Sequence, residues 1–213
     1  MVRNSSFAEI MILLPALLLA LTVHELCHGL AAYFLGDNTA KRDGRLSLNP
    51  VRHIDPIGLL MILFVGFGWA KPVMVNPYNL RNPKVDMAFI AFAGPLSNFI
   101  MSFLSMILLF VFLVYFPGAP TYLVSAVQTF TIINIMLAIF NLLPIPPLDG
   151  SKVIGGILPE SIHRQLPPIG QMGMFLLLIL MITGITGRII SPIVFSVYDA
   201  FFRAVFNIFQ LFN

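Results

Sequence analysis

His24, Glu25 and His28 form an H-E-x-x-H motif inside an unbroken apolar stretch near the N-terminus. On an α-helix, residues four apart differ by about 40° and about 6 Å of rise, so His24 and His28 share one face and can grip one zinc ion. Glu25 stands beside that face, where a carboxylate can take a proton from a water that the metal activates. Short motifs with free positions recur by chance, and most matches in soluble chains are ordinary surface helices. Here the setting differs, because three ionisable groups so close together are costly in hydrocarbon and mark function there.

Two histidines leave a zinc site incomplete, since catalytic zinc takes three protein ligands and a water. The remaining histidines are His53 and His163, and the membrane-proximal acids are Asp55, Asp86, Asp149, Glu160 and Asp199. Asp149 has the most telling context. It follows an apolar span through Asn141-Leu142-Leu143-Pro144-Ile145-Pro146-Pro147-Leu148, where the prolines forbid a regular helix. Irregular backbone at membrane depth is tolerated only where protein or a water-lined cavity receives it. An acid at a helix exit is more often a plain interfacial charge, but the proline-built approach and the missing ligand favour the metal.

A second polar insertion lies in Phe92-Ala93-Gly94-Pro95-Leu96-Ser97-Asn98. Pro95 removes an intrahelical hydrogen bond and Gly94 permits close packing, so a kinked packing site is one reading. Counted from Met87, Asn98 lies about 17 Å along its helix. That is near the level of His24, where its amide could hydrogen-bond a substrate backbone or a developing oxyanion.

The elements that must position these residues are membrane spans. The chain has 213 residues, 58% hydrophobic and only 10% charged, whereas soluble domains carry about 25% charged residues. This is the composition of an integral membrane protein in contact with the lipid bilayer. Cys27 is the only cysteine, which excludes an intrachain disulfide. The net charge of +3 comes from dispersed basic residues, which excludes nucleic acid as a partner. Arg3 and the apolar run after it resemble a signal peptide, but the run continues through the motif to Leu35, as a retained span would.

Five stretches meet the requirement of about 20 apolar residues for a span: Phe7 to Leu35, Asp86 to Phe116, Tyr122 to Leu143, Ile169 to Thr186 and Ile189 to Phe212. A sixth run, Ile57 to Gly68, is too short to cross and reads as re-entrant or interfacial. The expected fold is therefore an all-α polytopic membrane protein, a single domain over residues 1–213. Its catalytic core covers about 7–150, with additional spans over 169–212, and short β-strands flank the re-entrant segment at Leu46–Leu48 and Pro72–Asn76. By the positive-inside rule, Lys41, Arg42, Arg45, Arg52, Lys71, Arg81 and Lys84 place the first connection in the cytoplasm. Lys152 and Arg164 place the segment after the third span there too, against Arg3 and Arg188 outside. Five spans then put the N-terminus outside and the C-terminus inside. His24 would lie about 18 Å from the helix end at Gly36, inside the bilayer and nearer the cytoplasmic face.

An H-E-x-x-H in one apolar helix, a G-P-x-x-N in a second and an N-x-x-P-x-x-P-L-D-G after a third resemble the site-2 protease family of intramembrane zinc metalloproteases. Order and spacing match over roughly Phe7 to Gly150, and the triple match is far more specific than any one element. Leu48-Asn49-Pro50, His53-Ile54-Asp55-Pro56-Ile57-Gly58 and Trp69-Ala70-Lys71-Pro72-Val73 also look like this family's first connecting region. The resemblance implies that His24, His28 and Asp149 bind one Zn2+ per chain, that Glu25 is the catalytic base, and that the substrates are transmembrane segments of other proteins cut within the bilayer. It implies a prokaryotic cytoplasmic membrane as the location. Neither a PDZ-like nor a CBS-like insertion is present, which puts sensing of peptides or nucleotides in doubt but not the chemistry.

Other residues read more simply. His53 is an entrance residue or an interfacial loop histidine, and Asn141 is a candidate support for the Asp149 loop. Asn134 suits an interhelical hydrogen bond. Asp199 and Arg203, four apart, pair within the last helix. The segment Arg45 to Asn76 could offer a strand edge to an unwound substrate or be an inert hairpin. A zinc carrier would also place His and Asp in a bundle core but has no need of Glu25, and a catalytically silent scaffold would need none of the four residues.

Overall fold

The computed structural model describes residues 7–65, 68–159, 161 and 170–211. His163, Glu160, Arg164, Gly66 and Phe67 lie outside the described residues. Helix α1 (Phe7–Phe34) carries the H-E-x-x-H motif. After it come the short α2 (Thr39–Arg42) and α3 (Pro56–Val65), then the long helices α4 (Pro83–Tyr115) and α5 (Thr121–Asn141). Helices α6 (Asp149–Ile157), α7 (Gly170–Ile182) and α8 (Ile185–Leu211) complete the chain. Among the described residues four helices, α1, α4, α5 and α8, are long and apolar enough to cross a membrane.

Chemistry at the helix ends explains where several of these elements begin. Pro83 opens α4, where its missing N–H costs nothing, and the Asp86 carboxylate accepts the backbone N–H of Asn82 at 2.9 Å. Small residues then let α1 approach its neighbours closely: Ala16 and Ala20 meet Ile133 of α5, and Ala32 meets Ile90 of α4. Polar groups along the seams satisfy each other, as where Ser105 of α4 and Thr131 of α5 share a hydrogen bond of 2.8 Å.

Two expectations about the spans change. Among the described residues, which exclude Ile169, the stretch Ile169 to Thr186 gives no helix long enough for a span: α7 has 13 residues, about 20 Å of helix against a hydrocarbon core of about 30 Å. Its helix stops because Gly184 adopts a left-handed conformation (φ 72°), with Thr183 and Gly184 bonded back to Ile179 and Met181. Helix α8 then runs beside α4 in the same direction. Ile190 and Val194 pack on Ile135 and Ile139, Val205 on Met106 and Phe110, and Phe209 on Phe110 and Tyr115. The far end of α8 consequently lies at the same end of the bundle as the start of α1, where five spans had placed the termini on opposite sides.

The expected short strands also do not form. Among the described residues the only ladder contact is an isolated antiparallel bridge between Ile54 and Ala70, and Leu46–Leu48 is a bend. Side chains have taken the backbone groups that a strand partner would need. Arg45, itself buried, donates to the carbonyls of Arg52, Lys71 and Pro72. Glu25 accepts from Val73 N–H at 2.9 Å and Asp37 accepts from Asn76 N–H at 2.7 Å. Residues 69–76 thus form a strap tied across the end of α1 rather than a free edge.

Asp37 is the densest of these ties, because it also accepts from the Thr39 hydroxyl at 2.6 Å and from the Asn79 amide at 2.7 Å. Burial raises its pKa, but the hydrogen bonds from Thr39, Asn79 and the Asn76 backbone outweigh burial and hold the carboxyl below its ordinary value. A lowered folded pKa adds stability that is present above the unfolded value of about 3.9 and is lost as pH falls through the folded value. Replacing Asp37 by Ala strands several donors, so thermal unfolding at neutral pH should show a loss of about 1–3 kcal/mol. That deficit should shrink as pH falls below about 4, where the unfolded carboxyl takes up a proton that the native one resists.

Candidate metal centre

The three motif regions converge on one point. His24 and His28 project from one face of α1, and the Asp149 carboxylate reaches them from the first turn of α6. The N-terminal end of a helix dipole favours an anion there. His24 Nε2 and His28 Nε2 stand 3.0 Å apart, and each lies 3.2 Å from Asp149 Oδ2. All three side chains are buried, and among the described residues they are the group of His, Cys, Asp or Glu whose ligand atoms cluster closely enough for a metal.

Hydrogen bonds on the far sides of the rings decide what these nitrogens offer. His28 Nδ1 lies 2.7 Å from the Ile90 carbonyl, which can only accept, so Nδ1 carries the proton. His24 Nδ1 lies 2.6 Å from Asn98 Oδ1. That amide cannot be turned round, because its Nδ2 faces the Ala20 carbonyl at 3.3 Å and Asn134 Oδ1 at 2.8 Å. Asn134 is oriented in turn by donating to the Phe130 carbonyl at 2.8 Å. Both imidazoles therefore turn unprotonated Nε2 lone pairs toward Asp149. Three acceptors within 3.2 Å call for a cation between them. Zinc at about 2.0–2.2 Å from N and O donors spaces tetrahedral ligands about 3.3 Å apart, so the donor triangle fits it.

Two glycines are required by this packing. A Cβ on Gly94 of α4 would fall 2.4 Å from His28 Nε2 and 2.7 Å from His24 Cε1, so only glycine leaves room for the rings. The next residue, Pro95, withholds the N–H that would otherwise engage Ala91 one turn earlier. At the start of α6, a Cβ on Gly150 would fall 2.2 Å from the Leu142 carbonyl, because the proline-rich connection folds directly over that turn.

Glu25 lies beside the ligands on the wall of a cavity of about 510 Å3 that also contains His24, His28 and Asp149. The strap residues Pro72 to Val75, together with Leu137, Phe140 and Leu177, supply its largely apolar wall, and Lys152 brings one cation to it. The Val73 N–H holds one Glu25 carboxylate oxygen.

The structure brings together His24, Glu25, His28 and Asp149, with Asn98 directly behind His24. Asn98 has no exposed surface, and both amide hydrogens are engaged with Ala20 and Asn134. The expected contact with a substrate or oxyanion therefore lacks a free donor, and the amide turns inward to His24 instead. Asn141 lines the cavity, but its Nδ2 bonds back to the Leu137 carbonyl at 2.9 Å and not to the Asp149 loop. His53 is buried away from the ligands, in a small apolar pocket between α1 and α3, with Nε2 on the Ser47 carbonyl at 2.8 Å and Nδ1 unpartnered. Cys27 is partly buried and not among the clustered donors. Sequence reasoning missed the Ile90 carbonyl and the Val73 N–H, which are backbone atoms with no residue signature, and Arg45, whose place in the strap no local pattern announces.

Comparison with known proteins agrees with this chemistry. Residues 118–184, which include the Asp149 loop, match the model of "Peptidase family M50". The chain is 35% identical over 93% of its length to YwhC of Bacillus subtilis, covering 92% of that protein, which bears the name of a zinc metalloprotease. It is 27% identical to Rip2 of Mycolicibacterium smegmatis over 93% of this chain and 77% of the relative. It is 36% identical to the protein MJ0611 of Methanocaldococcus jannaschii over 46% and 49% of the two chains, and both relatives are likewise named as zinc metalloproteases. No solved structure gives a significant match.

If Gly94 is the space in which the rings meet the metal, Gly94→Ala should lose most of its bound zinc by elemental analysis while its helix content by circular dichroism is unchanged.

Proposed function

Because this chain belongs to peptidase family M50 and is a zinc metalloprotease, we propose that it hydrolyses peptide bonds inside the membrane-spanning segments of other proteins. The observation that carries this reading is the donor triangle of His24, His28 and Asp149, buried beside Glu25 among helices long enough to span a bilayer. In this reading His24, His28 and Asp149 hold the zinc, which supplies Lewis acidity toward water and the scissile carbonyl.

Glu25 is the general base. It takes a proton from the attacking water and returns it to the amine as the C–N bond breaks, so the leaving nitrogen departs neutral. The Val73 N–H steadies one carboxylate oxygen of Glu25 and leaves the other for the proton. Asn98 acts through His24: by accepting its Nδ1–H it presents Nε2 to the metal, and Asn134 fixes Asn98 in the same way. The apolar cavity wall suits the side chains of a transmembrane substrate, and the strap along it must yield to admit one. The six basic residues between α1 and α4, with Lys84 in the first turn of α4, support a cytoplasmic position for the strap, the cavity mouth and the entry of water. On that orientation the start of α1 is outside.

Two variants test the assignment. Glu25→Gln should keep one zinc per chain yet lose about 10²–10⁴ in the cleavage rate of a membrane-reconstituted substrate; undiminished cleavage would refute the base assignment. Asn98→Ala should weaken zinc binding about 10–100-fold in chelator competition. A loss of kcat with unchanged zinc affinity would instead return Asn98 to the role of a substrate contact.

A further inference from the structure

Helix α8 has a polar face that no other element covers among the described residues. At 100° per residue, Arg188, Ser196, Asp199, Arg203, Asn207 and Gln210 fall within about 100° of arc, and all six are exposed. The opposite face buries Ile190, Val194 and Val205 against α4 and α5. A polar face on a helix lying in the membrane surface would be ordinary, but α8 does not lie there. Phe201 packs on Phe103 in the middle of α4 and Phe209 on Tyr115 at its end, so α8 follows α4 across the bundle.

Depth makes the charges costly. Helix α8 has 27 residues, and Asp199 lies about 21 Å from its start and about 18 Å from its end. A hydrocarbon core of about 30 Å centred on the helix therefore contains both Asp199 and Arg203. The two form an ion pair at 2.9 Å, yet their side chains remain 55% and 75% exposed, directed away from the bundle. Ionised groups in spans face protein or water rather than lipid tails, so this face requires a polar partner within the bilayer.

We infer that the α8 stripe is the interface with a second copy of this chain. Copies inserted with the same topology pair about a two-fold axis along the membrane normal, so residues at equal depth meet. The stripe is complementary to itself under that operation. Asp199 of each copy reaches Arg203 of the other one helical turn away, giving two crossed ion pairs. Ser196, Asn207 and Gln210 each both donate and accept hydrogen bonds, so each can pair with its own counterpart. Arg188, about 16 Å from Asp199, falls at the hydrocarbon boundary, where solvent and lipid phosphates separate the like charges.

The test uses full-length chains carrying two different affinity tags, co-expressed and extracted in mild detergent. Unsubstituted chains should co-purify. Asp199→Arg in both copies, or Arg203→Asp in both, sets like charges against each other and should lower co-purification about ten-fold or more. An Asp199→Arg chain mixed with an Arg203→Asp chain should restore it, which no effect confined to one helix can do. In native membranes, oxidation should join Ser196→Cys or Asn207→Cys chains into a species of twice the mass. Ile193→Cys, exposed on the flank of the stripe, and the unsubstituted chain with Cys27 alone should not cross-link. The proposal falls if unsubstituted chains fail to co-purify, if Ile193→Cys cross-links as readily as Ser196→Cys, or if the cross-linked partner has another mass. Should the charge variants fail to insert, the cysteine series decides the matter by itself.

Discussion

Two imidazole N–H groups must find acceptors inside an apolar bundle, and the core is arranged around supplying them. The Nδ1–H of His28 takes the Ile90 carbonyl and that of His24 takes the Asn98 amide oxygen. An unsatisfied donor costs several kcal/mol in hydrocarbon, about the order of a whole domain's margin of stability. Satisfying them sets the tautomers, and the tautomers aim both Nε2 atoms at Asp149. The metal-binding capacity of the site is in this sense a consequence of ordinary polar bookkeeping in a place without water.

The same demand propagates outward. Asn98 can accept from His24 only if its own amide nitrogen is placed, and Ala20 and Asn134 place it. The close approach of α4 to α1 that this requires leaves no room for a side chain at residue 94, hence Gly94. On the other flank, Glu25, Arg45 and Asp37 take up backbone groups of the strap. The segment over the site is thereby held by side chains of α1 and its exit loop and not by a sheet. A strap tied this way can be released by exchanging a few hydrogen bonds, a smaller rearrangement than dismantling a ladder.

Much of this was legible from residue order. The H-E-x-x-H spacing places two histidines on one helical face whatever surrounds them, and the proline-rich approach marks Asp149 as unusual. Apolar runs located α1, α4 and α5 to within a few residues. Reading failed where a local signal was outweighed by something remote or very small. Gly184 ends α7 at Ile182, and among the described residues four spans are found where five were expected. The extended look of Pro72–Asn76 did not foretell a strand, because Glu25 and Asp37 claimed two of its N–H groups from elsewhere in the sequence. The depth of Asn98 follows from counting residues, but the way its amide faces depends on Asn134, 36 positions later.

What the sequence by itself determined is the chemistry available and its medium. Helical periodicity pairs His24 with His28, and composition puts them among spans, because both properties are local and additive. Only the tertiary structure decided which ring nitrogens of those residues face each other, that Asp149 comes within 3.2 Å of both histidines, and that the polar side of α8 is turned away from the bundle. These depend on helix rotation and on hydrogen bonds between residues far apart in the chain, and a rotation of some tens of degrees changes them without altering any local pattern.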